Sequence, residues 1–495
     1  MPVVAGVDSS TQSCKVELRD LDTSRLLGTG SAPHPPAFAP SSEQDPAAWW
    51  AAFRQALGAA VAGAEVSRDD IAGISVAAQC HGLVPLDADG AVIRPAKLWN
   101  DTTSAPQLER LRAQIGDSAW ISTIGSLPTA AFTIGKVAWL AENEPDSFAR
   151  LARICLPHDW LTLRLSGRHV TDRSDASGTG YWSAIQHRYL DEYLSLIDAK
   201  RDWSPMLPEV LGPDEPAGCV SAEASRELGL RSDTIVGAGG GDQHAAALGL
   251  AVEPGDVVYS LGTSGVVLAN TLDPVFDLSG EVNGVSDCSG GYLPLVCTLN
   301  AARVTDWGAG LFGVDHAEFA RLALEADPRR SPVLAAYLDG ERTPNRPDGS
   351  GIMAGITSGT TRAEFARAVH DGVLLGLLRG EAAMNAAGVD TSGRVLLIGG
   401  GARSAAYRQI LADLAGREVV VADPEDAKEA TARGAAVQAA AAVKGVGVAE
   451  MRRAWAPKTQ VVATPRLGSD GLRDELLARY AIVADWTGFD GQARR

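Results

Sequence analysis

The acidic residue Asp242 follows three consecutive glycines, 239–241, in a chain of 495 residues. The glycines join a short apolar run at 234–237 to an alanine-rich segment at 245–250 that is predicted to be helical. Glycine allows the backbone to turn sharply and another molecule to approach it closely, so Asp242 is a candidate catalytic base. Aspartate is also a favoured helix N-cap, and the local sequence leaves catalysis and capping equally open.

A hydroxyl-rich turn near the N-terminus is a candidate phosphate site. Strands are predicted over 3–7 and 15–18, and the turn between them contains Asp8 and the hydroxyls of residues 9–11. Backbone amides and hydroxyls bind phosphate oxygens, while a carboxylate holds Mg²⁺ directly or through water. The same composition is typical of an ordinary Asp/Ser/Thr turn.

A second hairpin repeats this plan in the other half of the chain. Strands are predicted over 257–261 and 266–269, with the tight turn Gly262-Thr263-Ser264-Gly265 between them. Alone this turn is as weak a signal as the first. Together the two turns predict that one polyphosphate is bound from two sides, and they indicate a duplicated fold.

Two further segments contain side chains suited to a sugar. His81 follows an apolar strand predicted over 71–77, at the carboxyl end where parallel sheets bind ligands. Trp99, Asn100 and Asp101 combine an aromatic ring, an amide and a carboxylate, which suits a polyol. A lone histidine is more often structural, and Trp99 can equally belong to the core, so both interpretations stay open.

Two familiar nucleotide signatures are absent from the sequence. The segment 130–137 ends in Gly-Lys-Val and lacks the first glycine and the terminal Ser or Thr of a P-loop. Gly399-Gly400-Gly401 follows a predicted strand, 394–398, and opens a predicted helix, 404–414, but Ser404 replaces the third small residue of a dinucleotide fingerprint. We interpret this turn as a surface for an adenosine group, with a simple strand-to-helix turn as the alternative.

Alternation of strands and helices predicts an α/β protein. Asp45 and Pro46 are the N-cap and first residue of a helix predicted to end near Ala64. The segment 329–351, rich in proline, glycine and charge, is predicted to be a long surface loop, and 485–495 a flexible tail.

Composition narrows the class of protein. The length and an apolar content of 45% favour two large domains. A net charge of −17 argues against nucleic acid and membrane partners, although a small phosphorylated ligand remains compatible. Six scattered cysteines argue against a zinc site or disulfide framework, and the absence of a signal peptide or long apolar stretch predicts a cytoplasmic protein.

Taken in order, these motifs resemble the FGGY family of carbohydrate kinases over nearly the whole chain. The motifs that carry the resemblance are Gly6-Val7-Asp8, Gln79-Cys80-His81-Gly82, Leu98-Trp99-Asn100-Asp101, Ser174–Thr179, Gly239–Asp242, Ser260–Gly265, Gly340-Glu341-Arg342-Thr343-Pro344 and Gly399–Ser404. The resemblance implies two domains of the actin and hexokinase type, which is a ribonuclease H-like fold. ATP and a sugar are then expected to meet in the cleft between them.

The resemblance also implies roles for individual residues. Asp242 is expected to accept the proton of the sugar hydroxyl, and Asp8 to serve Mg²⁺ and the phosphates. The remaining predicted contacts fall into two groups: Cys80, His81, Trp99, Asp101 and Gln243 for the sugar, and Thr11, Gln12, Gly262, Thr263, Ser264, Gly400, Gly401 and Ala402 for ATP. Residues 1–245 are predicted to form the sugar-binding domain and 246–484 the nucleotide-binding domain.

The expected reaction is the ATP-dependent phosphorylation of D-xylulose to its 5-phosphate. Cys80 and Gln243 depart from the commonest residues of such enzymes, and the first phosphate turn lacks the usual glycines, so another ketopentose or polyol (ribulose, L-xylulose, ribitol or glycerol) is the alternative. An actin-like ATPase without a sugar substrate is a second alternative, and a catalytically silent sugar sensor a third. The sequence does not fix the oligomeric state, and a homodimer is one compatible assembly.

Overall fold

A computed structural model describes residues 1–469 and 471–488 of the chain. A mixed sheet forms the centre of the N-terminal half. Its strands lie in the order Gly218–Cys219, Ile235–Val236, Ile71–Ala78, Val3–Ser9, Ser13–Asp20 and Leu26–Pro33, and Gly240–Gly241 also pairs with Ile71–Ala78. The first three strands of the chain are antiparallel, whereas Val3–Ser9 runs parallel to Ile71–Ala78.

A second mixed sheet forms the centre of the C-terminal half. Its strands lie in the order Asn283–Ser286, Tyr292–Thr298, Gly265–Ala269, Val257–Leu261, Val395–Ile398, Val419–Ala422 and Thr459–Ala463. Here too an antiparallel hairpin is followed by parallel strands on its other side. Both sheets therefore have the ribonuclease H-like order, which confirms the predicted duplication and the α/β, two-domain actin/hexokinase-like fold.

Helices and short strand pairs complete the fold. The helices are Pro46–Ala64, Ala105–Ile115, Asp117–Ile124, Thr133–Asn143, Pro145–Arg150, Pro157–Ser166, Arg173–Ala176, Asp191–Leu194, Ala222–Leu228, Asp242–Gly249, Ala302–Phe312, His316–Glu325, Arg362–Ala386, Ala405–Ala415, Pro424–Ala427, Ala430–Lys444, Val448–Ala454 and Leu472–Ala484. Shorter 3₁₀ helices lie at Arg68–Asp70, Ser204–Met206 and Gly400–Arg403. The small sheets pair Glu43–Gln44 with Ala96–Lys97, Val84–Leu86 with Arg153–Cys155, Val170–Asp172 with Glu209–Leu211, Trp182–Ser183 with Arg188–Tyr189, and Val333–Ala335 with Ile352–Ala354.

Two helices join the sheets. Ala430–Lys444 covers the N-terminal sheet, where a side chain at Gly6 would overlap its backbone, and it crosses Asp242–Gly249. Alanines from three elements, Ala77, Ala245 and Ala435, meet in a small apolar cluster between them. The helix pair thus places Asp242 between the two halves of the molecule.

Several sequence predictions are confirmed. Both hairpins form, with strands slightly longer than predicted, and the helix opened by Asp45 and Pro46 ends at Ala64. The helix predicted at 404–414 occupies Ala405–Ala415, because the Ser404 hydroxyl accepts a hydrogen bond from the Tyr407 amide and serves as the N-cap.

The prediction of a surface loop over 329–351 is wrong for its first third. Residues 331–337 are buried, and Val333–Ala335 forms a strand. The reason is the apolar run that begins at Pro332, which packs in the C-terminal core with the long helix Arg362–Ala386. The prediction used the mean composition of residues 329–351, in which the charged and proline-rich residues outweigh this short apolar run.

The domain boundary predicted at 245/246 lies inside the helix Asp242–Gly249 and stays a prediction. Of the predicted flexible tail, 489–495 lie outside the described residues, while Asp485 forms an ion pair with Arg379. Within the part of the chain that the structure describes, the search for a helix long and apolar enough to cross a bilayer found none.

Candidate active site

Asp242 is the first residue of its helix, and Gly241 occupies the N-cap position. The Asp242 Oδ1 atom accepts a hydrogen bond from the Gln243 amide at 2.8 Å. The Cys80 thiol, which follows the strand Ile71–Ala78, donates to the same oxygen at 3.5 Å. The carboxylate therefore binds one amide of the first helical turn, and a side chain from the N-terminal sheet contacts it.

The environment of Asp242 suits a general base. Burial, and after it the charge of Asp8, raise the pKa of its carboxyl group to about 7, although hydrogen bonds from Gln243, Cys80 and Ser10 oppose the rise. A base works best when its pKa lies near the working pH, because it is then both available and basic enough to take a proton. Half-buried Asp242 has this property.

The first turn brings a second carboxylate to the same place. Asp8 is buried, the Ser10 hydroxyl donates to its Oδ1, and Lys15 lies 4.0 Å from its Oδ2. Burial raises the Asp8 pKa, and the Ser10 bond and the Lys15 charge oppose that rise. Lys15 is itself held by Glu429, at 2.6 Å.

These neighbours form an oxygen-rich donor set. The charge of Asp8 raises the pKa of Asp242, and the Ser10 hydroxyl forms hydrogen bonds with both carboxyl groups. Carboxylate and hydroxyl oxygens gathered in this way are the ligands that a hard divalent cation prefers. Ser9, the residue after Asp8 in the same strand, has a buried hydroxyl without a hydrogen-bond partner among the described residues. The residues present therefore fit Mg²⁺.

His81 is held in an uncommon backbone conformation beside Cys80. Its φ of 64° lies in the left-handed region, and its amide donates to Asp175 Oδ1 at 3.0 Å. Its ring stacks on Phe132 with centroids 5.4 Å apart, and a side chain at Gly178 would overlap the ring. A backbone strained in this way persists only when its surroundings hold it, as at ligand sites.

The imidazole of His81 is neutral at physiological pH. Burial and the charges of Lys136, His244 and Arg342 lower its pKa to about 3. Its Nδ1 atom is buried and has no hydrogen-bond partner. That atom lies 3.8 Å from Asp175 Oδ1, while the side chain as a whole is 20% exposed. A neutral imidazole is suited to a hydroxyl group, because it has one nitrogen that donates and one that accepts.

A buried cluster of charged residues lies next to Asp175, the residue that binds the His81 amide. His158 Nε2 lies 3.0 Å from Asp159 and 3.3 Å from Asp172, whose carboxylate accepts the amides of Ser174 and Asp175. Although burial alone lowers the pKa of His158, the carboxylates raise it well above its ordinary value. The Ser174–Thr179 motif is part of the family resemblance, but no role was predicted for Asp175. His158 was not predicted at all, because no local sequence pattern marks it.

Trp99 connects the sugar-type residues with the first phosphate turn. Its indole Nε1 donates to the Thr11 hydroxyl at 2.9 Å, and the guanidinium of Arg342 lies 5.8 Å from its ring centroid. Gln12, in the same turn as Thr11, and Gln243 are both exposed. Trp99 is thus half-buried and in contact with both halves, rather than a member of a core.

Asp101 has a different environment. It is fully buried, and its carboxylate accepts hydrogen bonds from the Ser42 amide, the Lys97 ammonium and the Thr103 amide and hydroxyl. These contacts favour a structural role in holding the loop that contains Trp99. Contact between Asp101 and a sugar stays a prediction.

The second turn and the glycine turn lie against each other. Thr263 and Ser264 are exposed, and the turn is closed by a hydrogen bond from the Gly262 amide to the Ser264 carbonyl at 3.1 Å. A side chain at Gly399 would lie 2.6 Å from the Leu261 carbonyl oxygen, and one at Gly401 2.6 Å from Leu261 Cβ. The two turns therefore form one surface.

Within that surface, the predicted ATP residues differ in exposure. Gly400 is exposed, Ala402 is half-buried and Gly401 is buried against Leu261. A planar adenine group can approach a glycine turn closely because no side chain intervenes. Contact with ATP stays a prediction for these residues and for Thr11, Gln12, Gly262, Thr263 and Ser264.

The rejected P-loop lysine has a structural role. Lys136 is buried in the helix Thr133–Asn143 and donates to the carbonyls of Ala130, Ala131 and Phe132. Burial lowers its pKa to about 7. It therefore supports the loop on which His81 stacks, and the sequence-based rejection of a P-loop agrees with the fold.

Comparison with known proteins defines the class. Residues 3–249 match the N-terminal domain of the FGGY family of carbohydrate kinases, and residues 257–443 match its C-terminal domain. The chain belongs to this family. It is accordingly a carbohydrate kinase that takes ATP as the phosphoryl donor.

Individual relatives narrow the comparison. The chain is 42% identical over 483 residues to the xylulose kinase of Streptomyces rubiginosus, which covers 97% of this chain and 96% of the relative. It is similar to the crystal structure of xylulose kinase from Bifidobacterium adolescentis, with a TM-score of 0.83, 37% identity and coverage of 97% and 99%. A gluconate kinase structure from Lactobacillus acidophilus has a TM-score of 0.90 at 21% identity over 99% of each chain, which shows the shared fold alone.

Proposed function

We propose that the protein transfers the γ-phosphoryl group of ATP to the terminal hydroxyl of D-xylulose and releases D-xylulose 5-phosphate. The observation that carries the proposal is Asp242, a carboxyl group with a pKa of about 7 placed between the two halves and beside Cys80. The extent of similarity to xylulose kinases supports the choice of sugar.

The mechanism follows from positioning and charge. Asp242, when ionised, accepts the proton of the sugar hydroxyl as that oxygen attacks the γ-phosphorus, and the bond to the leaving oxygen of ADP breaks. General base catalysis contributes about 10² to 10⁴ in rate. His81 and Trp99 orient the sugar from the N-terminal half, with Cys80 and Gln243 beside it.

The two turns hold the donor. Thr11 and Gln12 bind phosphate oxygens from one side, and Gly262, Thr263 and Ser264 from the other. The turn at Gly400, Gly401 and Ala402 accommodates the adenosine group. Asp8 would hold Mg²⁺ directly or through water, and the bound ion would supply positive charge that stabilises the phosphates.

We also propose the division of labour between domains. Residues 1–245 bind the sugar and the first phosphate turn, and residues 246–484 bind the nucleotide. The cytoplasm, where ATP is present and cysteines stay reduced, is the proposed location. A homodimer stays a prediction.

A sugar panel tests the proposed substrate. Purified protein with ATP and Mg²⁺ is assayed for ADP release with D-xylulose, L-xylulose, D- and L-ribulose, ribitol and glycerol. We expect the highest kcat/KM with D-xylulose and loss of activity when Mg²⁺ is chelated. A preference for another sugar would overturn the assignment of D-xylulose, and sugar-independent ATP hydrolysis at the full rate would favour an actin-like ATPase.

A further inference from the structure

Arg342 belongs to the C-terminal half but lies against the sugar-type residues of the N-terminal half. Its guanidinium lies 5.8 Å from the ring centroid of Trp99. Its charge also contributes to the low pKa of His81, after burial and Lys136. Arg342 therefore lies against Trp99 and affects His81 through its charge, and both residues belong to the N-terminal half.

The backbone before Arg342 is firmly held. Glu341 is buried, and its carboxylate accepts hydrogen bonds from the Asn300 side chain at 2.9 Å and from the Arg342 amide at 2.8 Å. Asn300 also donates to the Gly340 carbonyl at 2.7 Å. These contacts fix the Gly340–Pro344 segment to the end of the strand Tyr292–Thr298, so Arg342 moves with the C-terminal sheet.

Trp99 is fixed from the other side. Its indole nitrogen donates to the Thr11 hydroxyl in the first phosphate turn, and the loop that contains Trp99 is held by the buried Asp101, whose carboxylate accepts the Ser42 amide. The ring is only half-buried, so its remaining face is available to a ligand or a partner group. Arg342 covers part of that face from the opposite half.

We propose that Arg342 is a positioning residue for the sugar, acting through Trp99: it stacks on the indole when the two halves approach, and so holds the ring in place over the sugar. Guanidinium is suited to this contact because it is planar, permanently charged and attracted to an aromatic face. The proposal rests on the proposed sugar kinase function. It extends that function by assigning a role to a motif that otherwise has none.

Two consequences follow from this role. Without the guanidinium, Trp99 keeps its hydrogen bond to Thr11 but loses the contact from the C-terminal half, so the sugar binds more weakly while the nucleotide turns are unaffected. The cleft also closes less completely, and water then competes with the sugar for the γ-phosphoryl group. The sugar KM and the ratio of ATP hydrolysis to sugar phosphorylation should both rise.

Kinetics of Arg342→Met and Arg342→Lys test the proposal, with the sugar that the wild type phosphorylates best in the panel. We expect Arg342→Met to raise the sugar KM about 3- to 30-fold, the range of a cation–π contact, with little change in the ATP KM. Arg342→Lys keeps the positive charge but lacks the planar guanidinium group. Its sugar KM should therefore lie between those of Arg342→Met and the wild type.

Arg362→Met is the matched control, because Arg362 makes the same kind of contact with Phe312, 5.0 Å from its ring centroid, at an exposed position of the same half. A double-mutant cycle with Trp99→Leu adds a direct measure of coupling. The double variant should lose no more than the worse single variant. Multiplying losses, or Arg342 variants that behave like Arg362→Met, would overturn the proposal.

Failure of the role of Arg342 can be distinguished from failure of the proposed sugar. Because the best sugar of the panel is used, a wrong assignment of D-xylulose leaves the test of Arg342 intact. Thermal unfolding of each variant identifies a folding defect, and Arg342→Lys then decides alone: wild-type kinetics in that variant, or a change confined to the ATP KM, would contradict the role.

Discussion

Asp242 illustrates how one carboxyl group serves catalysis at a cost to stability. Burial and the nearby Asp8 raise its pKa to about 7, so the folded protein holds a proton that the unfolded chain has already released above about pH 4. Stability therefore falls as the pH rises from about 4 to 7, and it stays lower above pH 7, where a buried carboxylate is ionised. A group kept only for structure would show the opposite sign.

The variant Asp242→Asn separates the two roles. We expect the kcat for sugar phosphorylation to fall at least about 10²-fold, because the base is lost. The melting temperature should be higher than that of the wild type at pH 8, with a difference that shrinks towards pH 4 as wild-type Asp242 becomes protonated. A lower melting temperature at pH 8 with strong residual turnover would instead assign Asp242 to capping.

The roles of Asp242, Asp8, His81 and Trp99 stay predictions, and glycines or turn residues beside them provided the signal. The structure does place Asp242 beside Cys80, and it places Trp99 in contact with Thr11 and near Arg342. Asp101 shared the same motif as Trp99 but is buried and fully hydrogen-bonded. Which side of a loop is buried depends on tertiary packing, and a four-residue pattern does not contain that information.

At the scale of elements, a tight fit between a loop and a ring fixes His81. Gly178 comes from the loop after the short helix Arg173–Ala176, and the His81 ring occupies the space where its side chain would lie. Asp175 from the same helix binds the His81 amide. The Ser174–Thr179 motif therefore acts as the wall that sets the orientation of the imidazole.

Replacing Gly178 by alanine should displace that ring. We expect Gly178→Ala to raise the sugar KM by 10-fold or more, with a smaller effect on the ATP KM, because the added methyl group overlaps the imidazole and not the nucleotide turns. Gly63→Ala is the control, since nothing lies within 4 Å of the site of its methyl group. Equal KM values in the two variants would show that the wall is not needed.

Hairpins and helix starts were predictable because their signals are local. Asp45 followed by Pro46 marks the start of a helix. Each hairpin is marked by two apolar runs with a polar turn between them. The buried strand Val333–Ala335 was missed because charged residues flank it in the sequence and distant elements stabilise it: the strand Ile352–Ala354 and the helices Arg362–Ala386 and Leu472–Ala484. Signals that depend on distant partners were not readable from a single sequence.

At the scale of the whole molecule, two crossing helices tie the halves together. A side chain at Gly434 would overlap the Ala245 carbonyl, and one at Gly249 would overlap the Ala430 carbonyl, so the helices approach at backbone distance. The ion pair between Lys15 and Glu429 adds a polar contact between the two halves. The halves should therefore unfold as one unit.

The variant Gly434→Ala tests this coupling. We expect a loss of about 1–3 kcal/mol in the free energy of unfolding, typical of overpacking, with one calorimetric transition that moves to lower temperature as a whole. Gly310→Ala, also within a helix but with open space at the site of its methyl group, should change stability little. Two separate transitions in Gly434→Ala, only one of them shifted, would mean that the halves are independent.

The position of Ala430–Lys444 has a consequence for biosynthesis. This helix fills the grooves above Gly6 and Gly73 in the N-terminal sheet, yet it is synthesised only after every strand of that sheet. One apolar face of the N-terminal sheet therefore stays uncovered in the nascent chain until this helix emerges from the ribosome. Vectorial folding of this protein cannot finish one domain before starting the next, and chaperone contact is expected during that interval.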